Sequence, residues 1–173
     1  MANQVPEKLI NFRAYNEGQN LIGVADVELP SLEAMTETVS GAGIAGEVDS
    51  PTLGHYASMT CRINFRTVTR DAAALAAQRA HQLEFRGSQQ IYDAGNGQYR
   101  TQALKVVVKA VPKNVELGNL TVGAPTETGN EFEVNYIKVT VDGEDMVEID
   151  KFNFISRING EDYLASVRSD LGV

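Results

Sequence analysis

The chain holds one cysteine, Cys61, two histidines, His55 and His81, and no tryptophan in 173 residues. A single cysteine excludes an intrachain disulfide and a cysteine-based metal knuckle. Two histidines exclude a three-histidine metal centre built within one chain. No apolar run approaches the ~20 residues of a membrane-spanning helix, so no membrane insertion by this chain alone is expected. Residues 1–9 lack the apolar core of a signal peptide, which predicts synthesis and maturation in a reducing cytoplasm. Basic charge is also scarce: 15 Lys and Arg face 23 Asp and Glu, a net charge of -8. A protein that wraps nucleic acid needs the opposite balance, because phosphate neutralisation supplies most of its affinity.

Hydrophobic residues make up 43% and charged residues 22%, the balance of a globular chain with a real core. The length predicts a single domain over residues 1–173. The pattern is mostly β. Leu21–Leu29 and Leu32–Val39 read as short strands around Pro30 and Ser31. Residues 40–54 then carry four glycines, Gly41, Gly43, Gly46 and Gly54, and read as the tip of a long hairpin. Loops of that length are functional or disordered. Ala57–Thr67 is the clearest strand: Met59, Cys61, Ile63 and Phe65 alternate with polar residues. Thr69 to about Leu83 has helical spacing, with Thr69 as N-cap, Asp71 in the first turn and Gly87 closing the region. Tyr99–Ala110 is a strand that Pro112 is expected to end, and Leu117–Val122 a short further one. Residues 124–130 read as a polar turn.

Two strands, Glu131–Val141 and Met146–Ser156, flank an acidic turn. In each, the apolar residues change face midway: Phe132, Val134 and Tyr136, then Ile137, Val139 and Val141; Val147 and Ile149, then Phe152 and Phe154. A register with Val139 opposite Ile149 matches every apolar pair, sets Lys138 against Asp150 and leaves a three-residue loop, Gly143–Asp145. The switch predicts burial on both sides, against the helix or a neighbouring subunit.

No enzyme motif is present: there is no phosphate loop, nucleophile elbow or His-Glu-x-x-His. The glycines at 41, 43 and 46 lack a following helix, so a hairpin tip is the better reading than a phosphate cradle. Cys61 on an apolar strand face reads as a buried thiol. His81 reads as a residue near a helix end, and His55 as one at a strand start. The acids at 142–150 do not match calcium-loop spacing and read as a solvated turn. No catalytic, cofactor-binding or metal-binding residue is expected, and no cofactor.

The N-terminal third is more specific. Lys8-Leu9-Ile10-Asn11-Phe12 is followed by Tyr15-Asn16-Glu17-Gly18, by Gly23-Val24-Ala25-Asp26-Val27-Glu28-Leu29-Pro30-Ser31-Leu32, by Thr36–Thr38, and by the Gly-rich stretch from Gly41 to Asp49. In this order, over residues 8–66, the chain resembles the major tail tube proteins of contractile-tailed bacteriophages, which have relatives in contractile bacteriocins. The resemblance implies a mainly β fold: an antiparallel β-sandwich or barrel with one flanking α-helix and a long Gly-rich hairpin loop. It implies six copies in a ring whose strands join an inner barrel, and rings stacked into a hollow tube. The implied partners are the chain itself, a tail sheath protein, a tape-measure protein and baseplate or tube-end proteins. DNA would pass through the lumen without sequence-specific binding. The implied location is the virion tail, after synthesis and assembly in the host cytoplasm. An acidic wall suits this job, because it repels phosphate at short range. A loop that orders on stacking makes Ser40, Gly41, Gly43, Ile44, Gly46, Glu47 and Asp49 the expected inter-ring contact. Ser58, Thr60, Arg62, Asn64, Glu148 and Asp150 are the expected lumen face, with Arg62 and Arg66 needing acidic neighbours. The alternatives are the tube of a bacteriocin or secretion-like particle without DNA, and a monomeric β-sandwich binding module or an enzyme with an unrecognised site.

Overall fold

A computed structural model describes residues 4–18, 20–23 and 26–173. Residues 1–3 of the N-terminal stretch, and Val24 and Ala25 of the expected Leu21–Leu29 strand, lie outside them. In chain order the elements are β1 (Gln4–Asn16), β2 (Asn20–Ile22), β3 (Asp26–Glu28), β4 (Ala34–Ser40), β5 (Glu47–Tyr56), β6 (Thr60–Phe65), α1 (Arg70–Ala74), β7 (His81–Asp93), β8 (Gln98–Glu116), β9 (Thr128–Val141), β10 (Glu144–Asp150), β11 (Ile155–Ile158), β12 (Glu161–Asp162) and α2 (Ala165–Leu171). Ten strands form one antiparallel sheet in the order β12-β11-β10-β9-β8-β7-β1-β2, with β3 and β6 branching from β9; β4 and β5 form a separate two-stranded sheet.

Strand β9 is the pivot. β8 lies along one edge, while β6 pairs with residues 128–133 of the other edge and β10 with residues 136–141. The β3–β6 leaf therefore closes over the β1–β7–β8 leaf, giving a sandwich-like body around one core. Met59 just before β6 and Cys61, Ile63 and Phe65 on it point into that core, as their alternation requires, against Leu83 and Phe85 of β7, Val106 and Val108 of β8, and Phe132 and Val134 of β9. Burying a side chain of this size contributes roughly 1.5–3 kcal/mol.

Several expectations are corrected here. The helix expected to reach Leu83 ends at Ala74. Thr69 does cap it, its hydroxyl accepting from the Ala72 amide at 3.1 Å. Beyond it, His81, Leu83 and Phe85 alternate inward on β7, which has a strand on each side over most of its length, and tertiary pairing overrides the alanine-rich helical spacing. His81 therefore opens a strand and is buried edge-on to Phe132, and Gly87 lies within the strand. A second, short helix, α2, closes the chain. Pro112 does not end β8: it sits at a bulge where Lys113 is the extra residue, a place where a missing N–H is tolerated. Leu117–Val122 is a loop, not a strand, with Leu120 and Val122 fully exposed.

The face switch in β9 has a different cause from the one expected. The β8–β9 register slips between Lys109–Tyr136 and Ala110–Val134, leaving Asn135 as an extra residue. A bulge moves every later side chain to the other parity. Val134 before it and Ile137 after it thus enter the same core. The final hairpin is paired two residues away from the expected register: Val139 faces Val147, Ile137 faces Ile149 and Lys138 faces Glu148. Its turn is the two-residue Asp142-Gly143, both at positive φ (49° and 85°), as a tight hairpin turn requires. β10 ends at Asp150, so Phe152 and Phe154 leave the ladder, and Phe152 is exposed.

Candidate functional site

The β4–β5 hairpin stands apart from this body. Its turn, residues 41–46, is shorter than the sequence suggested, because residues 47–54 are strand. Every residue from 31 to 53 is exposed, including Met35, Val39, Ile44, Val48 and Leu53. Only its foot is anchored. The Ala57 amide donates to the Glu33 carbonyl at 2.9 Å, and the Tyr56 and Ser156 hydroxyls share a hydrogen bond at 3.2 Å. Gly54 lies at φ 64°, where a Cβ would come within 2.5 Å of Leu164 Cγ, so only glycine lets the strand pass the C-terminal segment there. A lone two-stranded hairpin is marginally stable in water.

The expected inter-ring residues all lie on this projection. Ser40 ends β4, Gly41, Gly43, Ile44 and Gly46 form the turn, and Glu47 and Asp49 start β5. The Thr38 hydroxyl donates to Asp49 across the ladder at 2.8 Å, and the Ile44 amide closes the turn on the Gly41 carbonyl at 3.1 Å.

The expected lumen residues gather on one side of the main sheet, away from the core. Thr60, Arg62 and Asn64 alternate with the buried residues of β6, and Glu148 and Asp150 flank buried Ile149 on β10. Arg62 and Glu148 are ion-paired locally, and Asp150 is held by amides alone. Arg62 donates to Glu116 at 2.5 Å, a bond that raises the guanidinium further above its ordinary value, and Asn64 donates to Asp26 at 2.6 Å. The Ser58 hydroxyl donates to Glu133 at 2.5 Å. Burial pushes the Glu133 carboxyl up, but Ser58, Lys151, the Met59 backbone and Lys113 outweigh it and hold it below the usual carboxylate range. Glu148 accepts from Arg157 and from the Tyr136 hydroxyl, whose pKa is pushed up to about 12 by burial and then by Glu148. Asp150 accepts the Phe152 and Asn153 amides. Arg66 makes no ion pair among the described residues.

Burial, and then the charge of Glu28, pushes the Cys61 thiol up to about 12, far from a thiolate at neutral pH. His55 Nδ1 lies 2.8 Å from the Leu53 carbonyl, and His81 Nε2 3.0 Å from that of Ala77. The acids after β9 are tied locally: Asp142 accepts the Ala103 amide and Asp145 pairs with Lys138 at 2.7 Å. Among the described residues, no three His, Cys, Asp or Glu side chains are placed to share a metal ion.

Sequence reading missed one feature. β1 pairs with β7 along its length, but among the described residues its other edge meets β2 only at residues 14–16, so from Gln4 to Arg13 that edge has no described strand on it. Val5, Leu9 and Ile10 are exposed there.

A β-body with an open edge strand and a projecting, uncovered hairpin has the form of an assembly subunit. Residues 6–172 match the family model described as phage tail tube protein FII, and the chain belongs to that family. It is 31% identical over 174 residues to the tail tube protein of Escherichia phage P2, covering 98% of this chain and 99% of that protein. The fold is similar to that of a solved chain of an extracellular contractile injection system, described as the PVC sheath/tube terminator in the extended state. That match has a TM-score of 0.54 at 11% identity, covering 80% of this chain and 99% of the other. Family membership makes this a structural tail tube protein and not an enzyme.

Proposed function

We propose that residues 1–173 act as a single-domain subunit of the inner tube of a contractile phage tail. Six copies close a ring, and rings stack into a hollow conduit for DNA. The near full-length relationship to the phage P2 tail tube protein carries this reading. The open β1 edge and the unsupported hairpin agree with it, since edges and apolar surface left bare in one copy are covered in an assembly. The hairpin residues Ser40, Gly41, Gly43, Ile44, Gly46, Glu47 and Asp49 are the inter-ring contact. The face carrying Ser58, Thr60, Arg62, Asn64, Glu148 and Asp150 lines the lumen, where paired charges offer a passing polyanion little to hold. A sheath surrounds the tube, and tape-measure and baseplate or tube-end proteins set its length and start. Assembly takes place in the host cytoplasm.

Negative-stain electron microscopy of the purified protein at moderate salt tests the reading, salt screening the repulsion between acidic copies. Six-fold rings or hollow tubes are expected. Small monodisperse particles at every concentration, unchanged by a tube-end template, would overturn it. Protected DNA in purified particles separates a phage tail from a bacteriocin tube.

A further inference from the structure

Charge is spread unevenly along the chain. Residues 14–61 hold seven carboxylates and no Lys or Arg. The other 16 carboxylates face all 15 cations, so nearly the whole net charge of -8 belongs to this stretch. Four of the seven, Glu33, Glu37, Glu47 and Asp49, stand on the hairpin or at its foot. None of the four forms an ion pair among the described residues.

The opposite surplus lies on a three-stranded ledge made of residues 4–13 of β1, 86–93 of β7 and 98–105 of β8. The ledge carries Lys8, Arg13, Arg86, Arg100 and Lys105 against Glu7 and Asp93, and Glu84 beside it pairs with Arg86 and Lys105. Lys8, Arg13 and Arg100 have no carboxylate partner among the described residues. Its border is the open edge of β1, with Val5, Leu9 and Ile10 exposed at 44, 47 and 53%. An open edge strand is a template for another strand. The hairpin offers what such an edge takes: two open strand edges, exposed Met35, Val39, Val48 and Leu53, and charge of the opposite sign.

We propose that the hairpin of one copy docks against the β1 ledge of another copy, strand edge to strand edge, the acidic hairpin meeting the basic ledge. The inference rests on the tube reading and deepens it by naming the surface that receives the inter-ring hairpin. The partner is a second copy because the complementary charge, the apolar patch and the open edge are all present on this chain.

Charge reversal tests it. Glu37→Lys with Asp49→Lys alters the hairpin, and Lys8→Glu with Arg13→Glu alters the ledge. All four positions are exposed, so circular dichroism should show wild-type folds. Each one-sided pair should raise the concentration needed for tube growth about tenfold or more at ~0.15 M salt, where screening is incomplete. Combining all four changes should restore most of that loss. As a second measurement, carbodiimide treatment of wild-type tubes made from isotopically mixed copies should join Lys8 or Lys105 to Glu37, Glu47 or Asp49 between copies. One-sided variants that grow like wild type, or a combined variant no better than either, would overturn the proposal. So would inter-copy crosslinks that all fall elsewhere. Tubes of normal stability that fail to take up sheath would overturn it too, assigning the hairpin to the tube exterior. Wild type that forms no tube even from a template would sink the tube reading itself, a result visible before any variant is made.

Discussion

Strand β6 and the hairpin just before it are neighbours in sequence with opposite fates. β6 alternates strictly, and Cys61, Ile63 and Phe65 are buried between β3 and β9. The hairpin carries as many large apolar residues, yet all of those from Met35 to Leu53 stay exposed. Composition does not separate the two. β6 has a strand on each side and a second leaf over its apolar face, whereas above its foot the β4–β5 hairpin pairs with no other described strand. An apolar residue stabilises a fold when something covers it, and between Met35 and Leu53 nothing among the described residues covers the hairpin.

Predictions from this contrast run from the largest effect on the folded monomer to the smallest. Phe132→Ala empties the centre of the core and should cost about 3–5 kcal/mol in urea unfolding. A loss below about 1 kcal/mol would mean the two leaves are not packed as described. Asn130 is fully buried and donates to the Ala72 carbonyl at 2.8 Å, tying α1 to β9. Asn130→Ala should cost about 1–3 kcal/mol, read as a lower denaturation midpoint at unchanged slope. Cys61 should resist iodoacetamide at pH 8 in the native protein and react once urea unfolds it; fast native labelling would show that β6 opens.

Glu84 makes the contrast electrostatic. Burial pushes its carboxyl up, but Arg86 and Lys105 outweigh that and leave it below the usual range. A carboxylate whose folded pKa is depressed stabilises above its unfolded value of about 4.3, and that contribution fades as pH falls through the folded value. Glu84→Gln should therefore lower stability at neutral pH and flatten the acid limb of a stability–pH curve; an unchanged limb would remove Glu84 from it. The smallest effect on the monomer is expected from the hairpin. Replacing residues 36–51 by a short Gly-Ser turn should shift unfolding by no more than about 0.5 kcal/mol, while stacking into tubes is lost. A large loss of stability would show that the hairpin supports its own chain.

Legibility followed the range of each signal. The alternation of β6, the Thr69 cap and the hairpin around the Gly-rich turn were readable because each depends on residues a few positions apart. The helix was overextended because Ala72–Ala80 has real helical spacing, and nothing local says that His81–Phe85 is needed between β1 and β8. The last hairpin was paired two residues off because a two-residue slip keeps every side chain on its face, so apolar matching cannot detect it. The absence of Lys and Arg over residues 14–61 was visible all along and gained meaning only beside the basic ledge.

By itself the sequence determined the β class, the inward face of β6 and the hairpin around the Gly-rich turn, which follow from local periodicity and composition, and it carried the family resemblance in the ordered motifs of residues 8–66. The tertiary structure alone decided that the face switch in β9 is a bulge at Asn135, that Pro112 sits within a strand, and that β1 keeps an open edge. The reason is the same in each case: a bulge, a register and an edge belong to pairs of strands, and which strands pair is settled only when the whole sheet has formed.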